Sequence, residues 1–131
     1  MSEENEIVRK LIEAFNRRDA EALQALLAPD AEIVPMRAAL EDTVYRGPDA
    51  ASQWYAALDQ SWEGLTVEVE EIRDVAQGVL AIGRIRGRGR ESGAGIDVEA
   101  ASLVRFRDGL VTRLRTYSDV AQALEAAGLS E

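Results

Sequence analysis

The sequence contains neither histidine nor cysteine, and these absences remove much of the usual active-site chemistry. Without cysteine there is no disulfide, thiol nucleophile or thiolate metal site. Without histidine the commonest general base and the commonest ligand of zinc or iron are missing. A site in this chain must be built from Asp, Glu, Tyr, Arg, Ser, Trp or the backbone. No loop has the ligand spacing of a calcium or magnesium site, so neither a metal nor a cofactor is expected. The candidates that remain are mostly arginines. Arg84, Arg86, Arg88 and Arg90 alternate with Gly83, Ile85, Gly87 and Gly89 in a stripe suited at first sight to phosphate or RNA. Arg113, Arg115 and Tyr117 recur at alternate positions further on, and Glu41 and Asp42 stand side by side in a polar stretch.

The chain that must position them has 131 residues, enough for one domain with a real core and too few for two. Residues 1–131 are therefore expected to form a single domain. Its 24 acidic residues against 15 basic ones give a net charge of −9, which argues against nucleic-acid binding. No apolar run is long enough to cross a membrane, and the polar, acidic start, Met1 to Glu6, is unlike a secretory signal. A cytoplasmic protein is expected.

The pattern of elements is clear along most of the chain. From Glu6 to Arg18, residues Ile7, Val8, Leu11, Ile12, Ala14 and Phe15 share one helical stripe. Asp19 is a natural N-cap for a second, shorter helix that stops near Pro29. A short strand over Asp30 to Met36, a polar loop over Arg37 to Asp42 and a return strand at Thr43 to Tyr45 follow. Gly47-Pro48-Asp49 introduces a third helix, expected to reach Ser61, bury Trp62 in part and close at Gly64. From Leu65 to Tyr117 the reading changes to four long antiparallel strands with tight turns, among them Gln77-Gly78 and Asp108-Gly109. Ser118-Asp119 then caps a short C-terminal helix ended by Gly128. Helices followed by a curved meander give an α+β cone, a strongly curved antiparallel sheet wrapped by three N-terminal helices, with a cavity between the layers.

Several segments carry a family resemblance: Phe15-Asn16-Arg17-Arg18-Asp19, Leu27-Ala28-Pro29-Asp30-Ala31, Tyr45-Arg46-Gly47-Pro48-Asp49-Ala50, Phe106-Arg107-Asp108-Gly109 and Tyr117-Ser118-Asp119. Together they resemble a SnoaL-like member of the superfamily of nuclear transport factor 2 and the ketosteroid isomerases, over nearly the whole length. The resemblance implies a cystatin-like roll, but that fold hosts isomerases, cyclases, dehydratases, epoxide hydrolases and binding modules. Carried over by position, the isomerases' catalytic tyrosine falls at Leu11, their general-base aspartate at Pro35 and their oxyanion-hole aspartate at Ser102. None of the three chemical groups is present. The aromatic position of the third helix is kept, as Trp54 beside Tyr55.

Alternation along the strands, in the register the resemblance implies, assigns the faces. Val67, Val69, Ala81, Gly83, Ile85 and Gly87 are expected inward. Further on the expected inward residues are Val98, Ala100, Ser102, Val104, Phe106, Val111, Arg113, Arg115 and Tyr117. The arginines of the 84–90 stripe fall outward between the acidic rows Glu68/Glu70 and Asp97/Glu99, as a cross-strand charge ladder rather than an anion site. The same face carries Leu80, Ile82, Leu103 and Leu114, an apolar patch that predicts a sheet-to-sheet homodimer.

The expected cavity lining is thus Trp54, Tyr55, Ile85, Ser102, Val104, Phe106, Arg113, Arg115 and Tyr117. Two inward arginines would need anionic partners, either internal ones such as Glu41, Asp42 or Asp119, or the carboxylate, enolate or phosphate of a ligand. The preferred reading is a small-molecule pocket with isomerase- or cyclase-type activity on a small organic substrate, an anionic one included. Glu41 or Asp42 would be the base, and Arg113 or Tyr117 would stabilise developing charge. The alternative is a non-catalytic ligand-binding or dimeric interaction module.

Overall fold

A computed structural model describes residues 3–36 and 43–128. Helix α1 (Glu3–Arg17) buries Val8, Leu11, Ala14 and Phe15 on one face, as the 3.6-residue spacing of its apolar positions requires. Helix α2 (Ala20–Gln24) is capped by the Asp19 carboxylate, which accepts from the Ala22 amide. Strands β1 (Leu27–Val34) and β2 (Tyr45–Arg46) come next, then helix α3 (Ala50–Ser61). The meander is β3 (Trp62–Val75), β4 (Gly78–Gly89), β5 (Gly95–Arg107) and β6 (Leu110–Tyr117), and helix α4 (Val120–Ala126) ends the fold. Asp119 caps α4 through the Ala121 amide.

One curved, open sheet contains all six strands in the order β2-β1-β6-β5-β4-β3. Every neighbouring pair is antiparallel except β1 and β6, which run parallel. Helices α1, α2 and α3 cover the concave face and share one core with it, while α4 sits on the opposite face over Leu80, Ala101 and Leu103. The third helix ends at Ser61 and Trp62 already begins β3. Gly64, expected to close that helix, instead lies at a bulge in β3, in the left-handed region at φ 65°.

Two side chains substitute for backbone at the joints. Asn16 donates to the Val67 carbonyl at 2.9 Å and accepts from the Val67 amide at 2.8 Å. It thereby pairs with the free edge of β3 as a neighbouring strand would. Gln24 donates to the Gly47 carbonyl and accepts from the Ala51 amide, fixing the start of α3 against α2. Arg18, in the left-handed region at φ 56°, donates to the Phe15 carbonyl, pairs with Asp59 and lies over the Phe15 ring at 4.6 Å.

Sheet curvature has a local cause at Gly83. A Cβ there would stand 2.2 Å from the Glu68 carbonyl oxygen, so β3 and β4 approach closely only because the position is glycine. A bulge in β3 follows at once, between Val69 and Glu71, and adds twist.

Candidate functional site

Between helices and sheet lies a cavity of about 220 Å³. Its helical wall is Val8, Leu11, Ile12 and Phe15 of α1 with Trp54 and Leu58 of α3. The strands contribute Val67, Val69, Ile85, Ile96, Val104 and Leu114, among others. Phe15, Trp54 and Tyr55 form an aromatic cluster with ring centroids 5.0 to 5.8 Å apart. Trp54 faces the cavity from it, 8% exposed, and its indole Nε1 has no hydrogen-bond partner among the described residues.

Polar groups are few. Ser102 of β5 and Thr116 of β6 sit opposite each other and share one hydroxyl–hydroxyl hydrogen bond of 2.9 Å. Tyr45 and Ser61 complete the polar lining. No charged side chain is found among the described lining residues, and no cluster of acidic residues able to hold a metal ion occurs among the described residues. Chemically, such a wall can donate or accept hydrogen bonds with a neutral ligand. From its described residues it offers neither a carboxylate base nor a cation for an anion.

Among the expected site residues, the structure places Trp54, Ile85, Ser102 and Val104 on the cavity wall. Phe106 packs against the core without reaching the cavity. Tyr55 lies in the core beside Phe15 and Arg18; its hydroxyl has no partner among the described residues, and burial raises its pKa well above the ordinary phenol value. Glu41 and Asp42 fall outside the described residues, although Met36 and Tyr45, on either side of them in the chain, line the cavity.

Arg113, Arg115 and Tyr117 are not in the cavity, contrary to expectation. Arg105 pairs with Arg113, but the next β5 residue, Phe106, pairs with Val111, so Thr112 is an extra residue in β6. One inserted residue reverses the faces of everything beyond it. Val111 and Leu114 are therefore both buried in the main core, and Thr116 lines the cavity. Arg113 approaches Glu32 at 3.8 Å and Arg115 lies over the Tyr117 ring at 4.9 Å, on the opposite face. Neither Arg113 nor Tyr117 can stabilise charge developing in the cavity. Burial cost pointed to this outcome from sequence alone: Leu114 and Thr116 are far cheaper to turn inward than two arginines.

The dimer patch is also altered. Leu80 and Leu103 are 0% and 3% exposed beneath α4, and Leu114 faces inward. The arginine stripe does form its ladder: Arg84 reaches Asp97 at 2.7 Å, and Arg86 reaches Glu68 at 2.9 Å and Asp97 at 3.4 Å. The hydrogen bond from Arg84 holds the Asp97 carboxyl below its usual pKa.

A curved open sheet closed over an apolar cavity by three helices is the nuclear-transport-factor-2-like fold, shared with the ketosteroid isomerases. Residues 8–114 match the SnoaL-like domain, and the chain belongs to that family. No curated protein sequence matches it. Among solved structures, an NTF2-like protein of unknown function from Burkholderia pseudomallei superposes with a TM-score of 0.80 at 20% identity, covering 97% of this chain and 98% of that one. A protein with a ketosteroid isomerase-like fold from Catenulispora acidiphila, in complex with trimethylamine, gives 0.76 at 23% identity over 95% and 93%. TerC, co-crystallised with polyporic acid, gives 0.78 at 18% identity over 97% and 99%. Identities this low establish the fold alone. Leu11, Pro35 and Ser102, where the isomerases' three catalytic groups fall by position, all line this cavity, so the pocket is retained while that constellation is not.

Proposed function

We propose that this chain is a single-domain, cytoplasmic pocket protein that binds a small, neutral, largely apolar molecule of one or two rings. The observation that carries the proposal is the composition of the wall: apolar and aromatic side chains, one unpaired indole N–H, a hydroxyl pair, and no charge among its described residues. A cavity of about 150 Å³ accepts benzene, so about 220 Å³ suits one or two rings. Trp54 Nε1 would donate to a ligand oxygen, and Ser102 or Thr116 would complete its polar contacts. That the similar TerC was crystallised with polyporic acid supports a small-molecule role for this fold. Titration with 1-naphthol, followed by tryptophan fluorescence, tests the reading. Saturable quenching that is lost in Ala100→Leu, which fills the cavity, is expected. Quenching unchanged by that substitution would refute it.

A second reading adds turnover, an isomerisation or cyclisation in the same pocket with Glu41 or Asp42 as base. It is favoured by the position of Met36 and Tyr45 on the cavity wall. Loss of turnover in Glu41→Gln or Asp42→Asn, with naphthol binding kept, is its signature.

The sheet-to-sheet homodimer belongs to this proposal in altered form. With the leucines covered, the outer face offers a second copy the alternating charges of Glu68, Arg84, Arg86, Asp97 and Glu99. A two-fold axis can bring such a ladder onto itself with opposite signs opposed. Light scattering at low and high salt tests it, with a dimer that dissociates as salt rises.

A further inference from the structure

We infer a phosphate-binding site on the outer face of the sheet, formed by Arg105, Arg113 and Arg115. Elsewhere among the described residues, where two charged residues stand opposite one another across strands they are of opposite sign: Glu63 with Arg88, Glu68 with Arg84, Arg84 with Glu99, Arg86 with Asp97. At one place the rule breaks. Arg105 of β5 stands directly opposite Arg113 of β6, and Arg115 lies two residues further along β6.

Among the described residues, Glu32 is the one acid in this row. It stands between Arg46 and Arg113 in register and hydrogen-bonds Arg46 at 2.9 Å. Its other oxygen is 3.8 Å from Arg113, too far for a hydrogen bond, so Arg113 Nε is buried with no acceptor among the described residues. Among the described residues neither Arg105 nor Arg115 has an ion pair, and Arg115 is braced over the Tyr117 ring at 4.9 Å. Like charges directly opposite destabilise a sheet, and a buried donor without an acceptor adds to the cost. Both costs are removed by an anion.

The three arginines form a triangle, with directly opposed Cα atoms about 5 Å apart and diagonal ones about 7–8 Å. Arg113 leans toward Glu32 and Arg115 toward the Tyr117 ring; a group with three or four acceptor oxygens set over this triangle gives each of the three forks an acceptor, which a carboxylate with two oxygens does not. The ligand class is therefore a phosphate group, free or on a small phosphorylated molecule. This site is separate from the cavity and does not depend on what the cavity binds.

The test is a titration with inorganic phosphate at constant ionic strength, following the arginine Nε–H resonances by NMR. The expected result is saturable shifts of the Arg105, Arg113 and Arg115 signals, half-complete at about 1–5 mM, with acetate much weaker. Arg105→Glu and Arg115→Ala should each weaken binding roughly tenfold, while Arg84→Ala, on the charge ladder, leaves it unchanged. In the absence of phosphate, Arg105→Glu should melt a few degrees higher, because it gives Arg113 a partner. No saturable shift, equal binding of acetate, or an equal loss in Arg84→Ala would each overturn the site.

Discussion

Ser102 and Thr116, directly opposite each other on β5 and β6, join their hydroxyls by a 2.9 Å hydrogen bond on the wall of an otherwise apolar cavity. Each hydroxyl satisfies the other, and together they keep one donor or acceptor function for a ligand. Ser102→Ala should cost about 1 kcal/mol of stability and weaken binding of 1-naphthol by about tenfold, while naphthalene binds no worse. The double variant Ser102→Ala/Thr116→Val should bind naphthalene more tightly than the wild type. Paired fluorescence titrations of the two probes separate these outcomes from general loss of the pocket.

The inserted residue in β6 makes Leu114, rather than Arg113, the residue that supports the cavity. Leu114→Ala should cost about 2–5 kcal/mol in a denaturant titration, the range for a buried leucine. Arg113→Ala should cost less than about 1 kcal/mol, since its pairing with Glu32 is long and partly exposed. A large loss at Arg113 with a small one at Leu114 would restore the opposite register.

Gly83→Ala tests the source of the curvature. Its Cβ would meet the Glu68 carbonyl oxygen at 2.2 Å, a backbone atom that cannot move without breaking the β3–β4 pairing. A loss of about 2 kcal/mol or more is expected, against about 0.5–1 kcal/mol gained when alanine replaces an unconstrained strand glycine. Hydrogen exchange should show the loss concentrated in β3.

Stability should fall at both ends of the pH scale for different reasons. Asp30 and Asp97 are held below their usual pKa mainly by hydrogen bonds from Arg107 and Arg84. Their contribution is present above the ordinary carboxylate value of 3.8 and is lost as pH falls below it. Tyr55 is shifted upward by burial, so its contribution is complete below pH 10, the ordinary phenol value, and is lost above it. Tyr55→Phe should flatten the alkaline limb, and at neutral pH it should be neutral or slightly stabilising, because the hydroxyl has no partner among the described residues. Melting temperatures from pH 2.5 to 11 measure both limbs.

Local signals were enough for most of the architecture. The stripe Val8, Leu11 and Phe15, the caps Asp19 and Asp119, and the Asp108-Gly109 turn each specify their element through contacts within a few residues. The faces of β4, most of β5 and the stretch of β3 from Thr66 to Val69 between its two bulges were legible for a related reason: alternation holds there, and charges opposite charges reinforce it.

What the amino-acid sequence determined by itself was the order of the elements, the cone they form and the absence of histidine and cysteine chemistry from its cavity. Only the tertiary structure decided which residues of β6 reach that cavity. The extra residue at Thr112 is a property of pairing: it reconciles Phe106 opposite Val111 with Arg105 opposite Arg113, while the Val111 amide is held by the Leu26 carbonyl at 2.9 Å. A strand read alone carries a period of two but no phase, and the phase is set by neighbours distant in sequence. The same long-range packing put α4 over Leu80 and Leu103, and set Arg105 against Arg113 on the face that was left.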